Sequence, residues 1–170
     1  MTLSHRELER LYDAHASGLF HYLATFTKNE ADARDLMQEV FIRLARLENT
    51  TSLENEKPFV FRLAHNLAID WLRRRKTRWD SEERLLAELD GGVQTTGDPD
   101  AALLAGHFAA AMRSLPDEQR TIAQLKLWDG LTFEEIAQTQ NIPLNTAASR
   151  YRYAIDKLRA MLRPIYEELT

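Results

Sequence analysis

Apolar side chains return at every third or fourth position along most of this chain, and that spacing limits what it can fold into. In the first segment the series is Leu8, Leu11, Leu19, Leu23 and Phe26. Because an α-helix has 3.6 residues per turn, residues spaced in this way lie on one face that can be buried. No stretch sustains the alternation at every second position that is typical of a half-buried strand. The sequence therefore predicts an all-α protein.

Several helix starts can be placed by their capping residues. Ser4 with Glu7, and Thr132 with Glu135, have the spacing of a capping box, in which each residue's side chain accepts a hydrogen bond from the other's backbone N–H. Asn29 suits the N-cap of a second helix, because its short amide side chain can accept from the first turn. These signals predict helices that begin directly after positions 4, 29 and 132.

Glycine and proline indicate further boundaries. Gly18 marks a place where the first helix can break. Pro58 follows a polar loop, Glu48–Lys57, and suits a helix start, since the first turn needs no N–H donor. The last helix is expected to end at about Leu162, because Pro164 cannot donate the hydrogen bond that continues a helix.

The charge of the chain is concentrated in a middle segment. The net charge is −4, yet residues 81–108 alone hold six acidic and one basic residue. This segment also contains turn and breaker signals, among them a glycine pair at 91–92 and Asp98-Pro99. We interpret it as a flexible acidic linker that leads into the first helix of a second domain. The prediction is two small helical domains, 1–80 and 109–170; the alternative is a long loop inside one domain.

Several functional classes are excluded by what the sequence lacks. There is no cysteine, so disulfides and thiolate sites are ruled out, and the five histidines have no metal-ligand spacing. No P-loop, dinucleotide glycine pattern or hydrolase motif occurs. No apolar run approaches the ~20 residues of a membrane span, and no signal peptide precedes the first helix. The sequence predicts a cytoplasmic protein that is not an enzyme and has no metal or cofactor.

A helix-turn-helix is predicted between Leu131 and Leu158. A short capped helix is followed by a tight turn at Asn141-Ile142-Pro143 and then by a longer helix. In this arrangement the second helix enters the major groove of DNA. The alternative is an ordinary amphipathic helix with a solvated face.

The two faces of that longer helix differ in chemistry. Ala147, Tyr151, Ala154 and Leu158 share one arc and are expected to pack inward. The opposite arc is small, polar and cationic, as contacts to base edges and phosphates require. Its members are Asn145, Thr146, Ala148, Ser149, Arg150, Arg152 and Tyr153.

A second basic cluster closes the first domain. Along the helix from Pro58, the face opposite the predicted buried stripe bears Arg62, Asn66, Asp70 and Arg73, and the helix ends in a run that includes Arg74 and Arg75. Asn and Arg on an exposed face can contact bases and backbone. The alternative is equally open at this point, since basic residues are favoured at any helix C-terminus.

Three stretches together resemble a known family. Residues 35–47, 59–75 and 114–159 are similar, in this order, to extracytoplasmic-function sigma factors, the minimal sigma-70 proteins that have only regions 2 and 4. The resemblance covers about residues 5–163. It implies a transcription initiation factor that binds core RNA polymerase, reads −35 duplex and opened −10 DNA, and is controlled by an anti-sigma factor.

The resemblance also assigns residues to partners. The β′ clamp of polymerase would be held by one helix, with the β flap as a further contact of the protein; the helix residues are Asp35, Leu36, Gln38, Glu39, Phe41 and Arg43. The loop Glu48–Lys57 would help to capture a flipped −10 base. The opened −10 strand would be contacted by Arg62, Asn66, Asp70, Arg73, Arg74 and Arg75, and the outward arc of the last helix would read the −35 element.

The chain departs from the family at a few positions. Ala148 and Tyr153 stand where the family commonly has Lys or Arg, so Ser149, Arg150 and Arg152 become the better candidates for polar readout. Glu56 stands where an apolar residue is frequent. Two other functions stay open: a free-standing helix-turn-helix regulator that binds duplex operators, and a helical adaptor that binds proteins alone.

Overall fold

Seven α-helices make up the part of the chain that the structure, a computed structural model, describes, namely residues 2–48, 55–76 and 99–169. Within those ranges there is no β-strand, which confirms the all-α prediction. The helices are α1 (His5–Thr27), α2 (Glu30–Arg46), α3 (Glu56–Lys76), α4 (Pro99–Ser114), α5 (Asp117–Leu127), α6 (Phe133–Gln140) and α7 (Leu144–Leu169).

The predicted caps are present. The Ser4 N–H donates to the Glu7 carboxylate at 2.8 Å, and the Ser4 hydroxyl accepts from the Glu7 N–H at 3.3 Å. Thr132 and Glu135 make the same reciprocal pair at the start of α6. Asn29 accepts from the backbone at the start of α2. Because these bonds are local, they could be derived from spacing alone.

Three predicted boundaries were wrong. Helix α1 runs without a break through Gly18, where the missing side chain makes room for Asp129. Helix α3 begins at Glu56, inside the predicted loop, and Pro58 is tolerated because first-turn N–H groups lack intrahelical acceptors. Helix α7 continues through Pro164, which is exposed, so water can hydrate the carbonyl group that the missing N–H leaves without a partner.

The first half consists of α1, α2 and α3 packed on one another. Its largest buried side chains include Leu11 and Leu23, which belong to the predicted apolar series of α1, and Tyr22, Leu44 and Phe61. The predicted apolar series did not include Tyr22 or Phe61. Aromatic rings meet edge to face inside it, with the Tyr22 and Phe61 ring centroids 5.8 Å apart. This core fixes the directions in which α2 and α3 present their outer faces.

The second half consists of α4 to α7. Arg120 on α5 holds the C-terminal end of α4 by donating to the backbone carbonyl oxygens of Met112, Arg113 and Leu115 at 2.6–3.0 Å. A small cluster that includes Ala154 lies between α4, α5 and α7. These contacts fix α7 relative to the rest of the second half.

The two halves touch each other, which the sequence did not predict. Helix α5 packs on α1, and α6 packs on α3. One continuous cluster of buried side chains therefore extends from the first half to Ile122, Leu125, Leu131 and Ile136 of the second half. Most of the predicted linker, residues 81–98, lies outside the described residues, and α4 begins at Pro99, inside the segment 81–108.

Candidate nucleic-acid interface

The helix-turn-helix is formed by α6, a tight turn and α7. Helix α6 ends at Asn141, whose φ of +57° is left-handed, a conformation that Asn tolerates better than most residues. The carbonyl oxygen of Ala137 accepts from the N–H groups of both Asn141 and Ile142, which closes the turn. Helix α7 then starts at Leu144, so the predicted motif is confirmed.

The inward face of α7 is the predicted one. Ala147, Ala154 and Leu158 are buried, and Tyr151 is half-buried with its ring centroid 5.4 Å from that of Phe133 on α6. This packing sets the rotation of α7 about its axis, so the opposite residues point away from the core.

The outward face of α7 combines free and engaged side chains. Asn145, Arg152 and Tyr153 are exposed, and the Arg152 guanidinium lies 5.4 Å from the Tyr153 ring centroid. Arg150 is half-buried and lies 3.7 Å from the Glu118 carboxylate. The remaining predicted residues on this face are half-buried: Thr146, Ala148 and Ser149. The arrangement brings all seven together, with Arg152 as the most accessible cation.

A groove of about 580 Å³ runs along this face. Phe133 and Ile155 supply apolar lining, while Arg152, Asp156 and Arg159 supply charge. An open groove with basic groups suits a polyanion better than a small apolar ligand. The groove also includes Arg159, which flanks the predicted outward arc of α7.

Helix α3 presents most of the predicted −10 residues together. Arg62, Asn66, Arg73 and Arg74 are exposed, and Asp70 beside them is half-buried. They lie along one side of the helix, opposite its packed side.

Arg75 is placed differently. Its guanidinium donates to the Asp32 carboxylate on α2 at 2.7 Å and lies 4.6 Å from the ring centroid of Trp71, which is half-buried. Arg75 therefore ties α3 to α2.

Helix α2 presents a mixed surface. Asp35, Gln38 and Arg43 are exposed and Glu39 is half-buried, with Glu39 accepting from Arg43 at 3.1 Å. Leu36 points inward and is 8% exposed, as expected for the apolar stripe.

An aromatic pair borders this surface. Half-buried Phe41 on α2 packs against exposed Tyr12 on α1, with ring centroids 5.0 Å apart. Sequence reasoning missed Tyr12, since nothing in the α2 motif points to a neighbour on α1.

Glu56, one of the departures from the family pattern, has a structural explanation. It accepts from the Arg10 guanidinium at 2.5 and 3.2 Å, and it lies 3.4 Å from the ring of buried His15. The hydrogen bond from Arg10 holds the pKa of the Glu56 carboxyl below its ordinary value. Glu56 thus fixes the start of α3 to α1. Residues 49–54 of the predicted capture loop lie outside the described residues.

A buried polar network joins the two halves next to these surfaces. The Gln140 amide donates to the Tyr22 hydroxyl and to the Thr121 hydroxyl, both at 3.1 Å, and the Tyr22 hydroxyl is 2.9 Å from His65 Nδ1. Burial lowers the pKa of His65 to about 4, so its ring is neutral near pH 7 and accepts the Tyr22 proton. Burial also raises the pKa of the Tyr22 hydroxyl.

Asp129 is the least expected residue of this region. It is 5% exposed, and its Oδ2 has no hydrogen-bond partner among the residues described. Burial raises the pKa of its carboxyl to about 7, and attraction to Lys57 counteracts only part of that rise. No local sequence signal marks it, because its burial arises from contact with the other half.

Two classes of site are not found among the described residues. No three His, Asp or Glu side chains there are grouped closely enough to hold a metal ion. No helix within those ranges is long and apolar enough to cross a membrane.

Sequence comparison with known proteins finds family matches in both halves of the chain. The chain matches the family described as Sigma-70 region 2 over residues 11–78 and the family described as Sigma-70, region 4, over residues 111–160. It is 32% identical to the ECF RNA polymerase sigma factor SigE of Mycolicibacterium smegmatis, over 91% of this chain and 61% of that protein. It is 26% identical to SigX of Bacillus subtilis, over 94% of this chain and 85% of that protein.

Solved structures share the fold. The sigma factor RpoE of Bartonella quintana, solved in complex with the anti-sigma factor NepR, superposes with a TM-score of 0.68 at 19% identity, over 93% of this chain and 95% of that one. CnrH, solved with the cytosolic domain of CnrY, superposes with a TM-score of 0.62 at 19% identity, over 95% of this chain and 90% of that one. The likeness therefore includes both halves.

Proposed function

Because this chain belongs to the extracytoplasmic-function group of the sigma-70 family, we propose that it binds core RNA polymerase and directs it to a specific set of promoters. It acts by binding and by deforming DNA, with no covalent chemistry of its own. The chain spans 61% of the length of the first relative compared and 85% of the second. Its work would take place in the cytoplasm, where polymerase meets DNA.

The observation that carries the proposal is the exposed outward face of α7 in a complete helix-turn-helix. A recognition helix with exposed Arg152 and Asn145, flanked by Arg159, offers bidentate donors for base edges and positive charge for phosphates. Ser149 adds a short polar group. Arg150 lies beside the Glu118 carboxylate, so a contact with a phosphate group suits it better than the readout of a base.

The −10 strand would lie along α3. Asn66 and Asp70 offer hydrogen-bonding groups to unstacked bases, and Arg62, Arg73 and Arg74 offer charge to the backbone. Arg75 contributes indirectly, since its ion pair with Asp32 keeps the end of α3 in place.

Polymerase would be bound by the outer face of α2. Asp35, Gln38 and Arg43 are exposed there, and the pair Phe41 and Tyr12 adds an aromatic edge. Exposed aromatic rings bordered by polar groups are typical of protein interfaces. The β′ clamp is the proposed partner of this face, and the β flap that of the second half.

An anti-sigma factor is proposed as the regulator. Two solved structures with the same fold are complexes: RpoE with the anti-sigma factor NepR, and CnrH with the cytosolic domain of CnrY. A partner that covers α2 or α7 would block the proposed contacts directly.

The total charge favours a factor that works on polymerase over a free repressor. A chain with a net charge of −4 attracts DNA weakly, since non-specific affinity comes mainly from phosphate neutralisation. A free-standing regulator would instead bind duplex tightly by itself, with a steep dependence on salt.

The test is to mix the purified chain with core polymerase and, separately, with promoter duplex. We expect a one-to-one complex with core and only weak, salt-sensitive binding to duplex. Asp35→Ala and Gln38→Ala should weaken the core complex, while Glu134→Ala, an exposed change on α6, should not. Tight duplex binding without any core complex would favour the repressor, and neither interaction would favour the adaptor.

A further inference from the structure

Two neighbouring side chains on the outward face of α7 contact each other. The Arg152 guanidinium lies over the ring of Tyr153, with 5.4 Å between its central carbon and the ring centroid. Successive residues of an α-helix point about 100° apart, so this contact forms because the long arginine stem bends towards the next ring. Both side chains are exposed. The contact therefore belongs to the surface of α7 and not to the packing of the fold.

A carboxylate lies close enough along the helix to compete for Arg152. Asp156 is four residues further on, is exposed and lines the same groove. Side chains four residues apart are neighbours on a helix, and an aspartate at that spacing is a usual partner for an arginine. Among the described residues, however, Arg152 has no ion pair with any carboxylate, whereas Arg150 lies 3.7 Å from Glu118. Arg152 thus contacts the aromatic ring and not Asp156.

The partner of Arg152 decides which of its groups stay available. A carboxylate takes up the N–H donors of a guanidinium, frequently two at a time. A cation–π contact is made with the face of the ring and leaves the donors in the guanidinium plane available. Guanine is recognised in the major groove by two such donors, which reach its O6 and N7 atoms. An arginine held by a ring can therefore read guanine, and one paired with Asp156 cannot.

Holding the arginine in place also lowers the entropy that is lost on binding. An arginine side chain has many rotamers, and fixing it on DNA costs conformational entropy. A ring that restricts these rotamers before DNA arrives removes part of that cost. An exposed cation–π contact is stronger than an exposed ion pair between residues four apart on a helix, so the Tyr153 ring is the stronger partner of Arg152 in the free chain.

We propose that Tyr153 is a positioning residue that determines −35 specificity through Arg152: its ring keeps the guanidinium away from Asp156 and presents it to a guanine in the major groove. The inference rests on the proposed function and deepens it, because it names the base that this part of α7 selects. Tyr153 stands where the family commonly has Lys or Arg, so a charged contact with DNA is replaced at this position. The ring acts instead through the arginine one residue earlier.

The test compares the promoter preference of core polymerase carrying the full-length chain or one of its variants. Competing duplexes that differ in single −35 base pairs give a discrimination ratio, which is the binding to guanine over the other bases at the position where Arg152→Ala loses the preference. Tyr153→Ala should lower this ratio by about two- to five-fold, the factor that an exposed cation–π contact supplies. Tyr153→Phe, which keeps the ring, should leave the ratio unchanged.

Asp156→Asn distinguishes positioning from a direct contact between Tyr153 and DNA. Once the competing carboxylate is gone, the double variant Tyr153→Ala with Asp156→Asn should recover the larger part of the discrimination ratio that Tyr153→Ala loses. Asp156→Asn alone should tighten binding to all duplexes, because it removes a negative charge from the groove, and should leave the ratio unchanged. Tyr166→Ala, which removes an exposed ring further along the same helix, is the matched control and should change neither affinity nor ratio.

A second measurement needs neither polymerase nor DNA. Protons above the face of an aromatic ring resonate upfield of their usual position, so NMR of the free wild-type chain should show upfield-shifted side-chain protons of Arg152. The shift should persist in Tyr153→Phe and in Tyr166→Ala, and it should disappear in Tyr153→Ala. Arg152→Lys, which removes the guanidinium signal, assigns it.

The outcomes separate the inference from the function on which it rests. A ratio that Tyr153→Ala leaves unchanged, or that Tyr153→Phe lowers equally, would overturn the positioning role of the ring. A loss in Tyr153→Ala that Asp156→Asn does not recover would mean that Tyr153 contacts DNA itself, which also overturns the proposal. A wild-type chain that shows the upfield shift but does not bind core would overturn the proposed function, and with it the specificity assigned to Tyr153, while the contact between ring and guanidinium would stand.

Discussion

The two helices proposed to face DNA, α3 and α7, use their surfaces differently. On α7 the inward side packs within the second half, and the outward side exposes Arg152 and Tyr153 to solvent. On α3 the outward side also exposes arginines, but His65 on the same helix joins the network to the other half, and Arg75 is bound to Asp32.

On α7, the residues proposed to contact DNA are separate from those that pack the fold. On α3, the residues proposed to contact DNA lie next to residues that hold the fold together. Substitutions on the outward face of α7 should change promoter choice at little cost in stability, because exposed side chains contribute little to folding. Substitutions of His65 and Arg75 on α3 should also change the stability of the fold, because His65 joins the network to the other half and Arg75 is bound to Asp32. The following predictions test this comparison.

The largest expected effect on stability is at Phe61, on the buried side of α3. Phe61 is 1% exposed and Tyr153 on α7 is 52% exposed. Phe61→Ala should lower the free energy of unfolding by about 3–5 kcal/mol, since it leaves a large cavity. Tyr153→Ala should change it by less than about 0.5 kcal/mol. Urea unfolding of both variants measures the difference, and equal losses would break the comparison between the helices.

Asp129→Asn tests the cost of the carboxyl group packed against α1 and α3. Burial raises the pKa of Asp129 to about 7, whereas an exposed Asp titrates near 4. The folded state therefore gains a proton relative to the unfolded state between about pH 4 and 7, so the stability of the wild type falls as pH rises through that range. Asn cannot ionise, and the variant should be more stable by on the order of 2 kcal/mol at pH 7.5.

That gain should shrink as pH falls and vanish below about pH 4, where Asp129 is protonated in both the folded and the unfolded state. Lys57 on α3 and Tyr22 on α1 are the titratable groups that interact with the Asp129 carboxyl group. His65, with its pKa lowered to about 4, destabilises the fold as pH falls below about 6.5, but it does so in both proteins and cancels in the difference. Unfolding curves at several pH values measure the gain, and a difference that is constant with pH would contradict the account.

Arg152→Ala tests whether the outward face of α7 reads promoter DNA without contributing to the stability of the fold. It should weaken promoter binding by the polymerase complex by about 1–3 kcal/mol if Arg152 contacts a base, and the preference at one −35 position should relax. The free energy of unfolding should stay within about 0.5 kcal/mol of wild type. Competition among −35 sequence variants measures the preference, and an unchanged preference would remove Arg152 from the readout.

The smallest expected effect is a difference in stability between variants of two arginines near the end of α3. Arg75→Ala should lower the free energy of unfolding by about 1 kcal/mol, because it removes a partly buried ion pair and a contact with Trp71. Arg73→Ala, at an exposed position, should leave stability unchanged and slow the opening of promoter DNA. If the two variants lose stability equally, the coupling assigned to Arg75 is wrong.

Local features were the ones that the sequence could predict. The caps at Ser4 and Thr132, the turn at Asn141 and the inward arc of α7 all depend on residues within a few positions of one another. The continuation of α7 through Pro164 was not predicted. The free-energy cost of a proline inside a helix depends on whether water reaches the carbonyl group that loses its N–H partner, and that depends on the tertiary structure.

The packing of the halves could not be predicted in the same way. The bond between Tyr22 and Gln140 joins residues 118 positions apart, and neither residue belongs to a motif that points to the other. The burial of Asp129 likewise results from tertiary packing, and Gly18 looked like a helix break when it is a point of close approach. The assignments of polymerase, −10 and −35 contacts to particular residues all stay predictions.

The most direct test of the central claim is to sequence the 5′ ends of transcripts made by core polymerase on genomic DNA, with and without this chain. The account predicts new start sites that share two sequence elements near −35 and −10, with the −35 element altered or lost for Arg152→Ala. The same start sites with and without the chain, or new ones lacking a common upstream sequence, would contradict it.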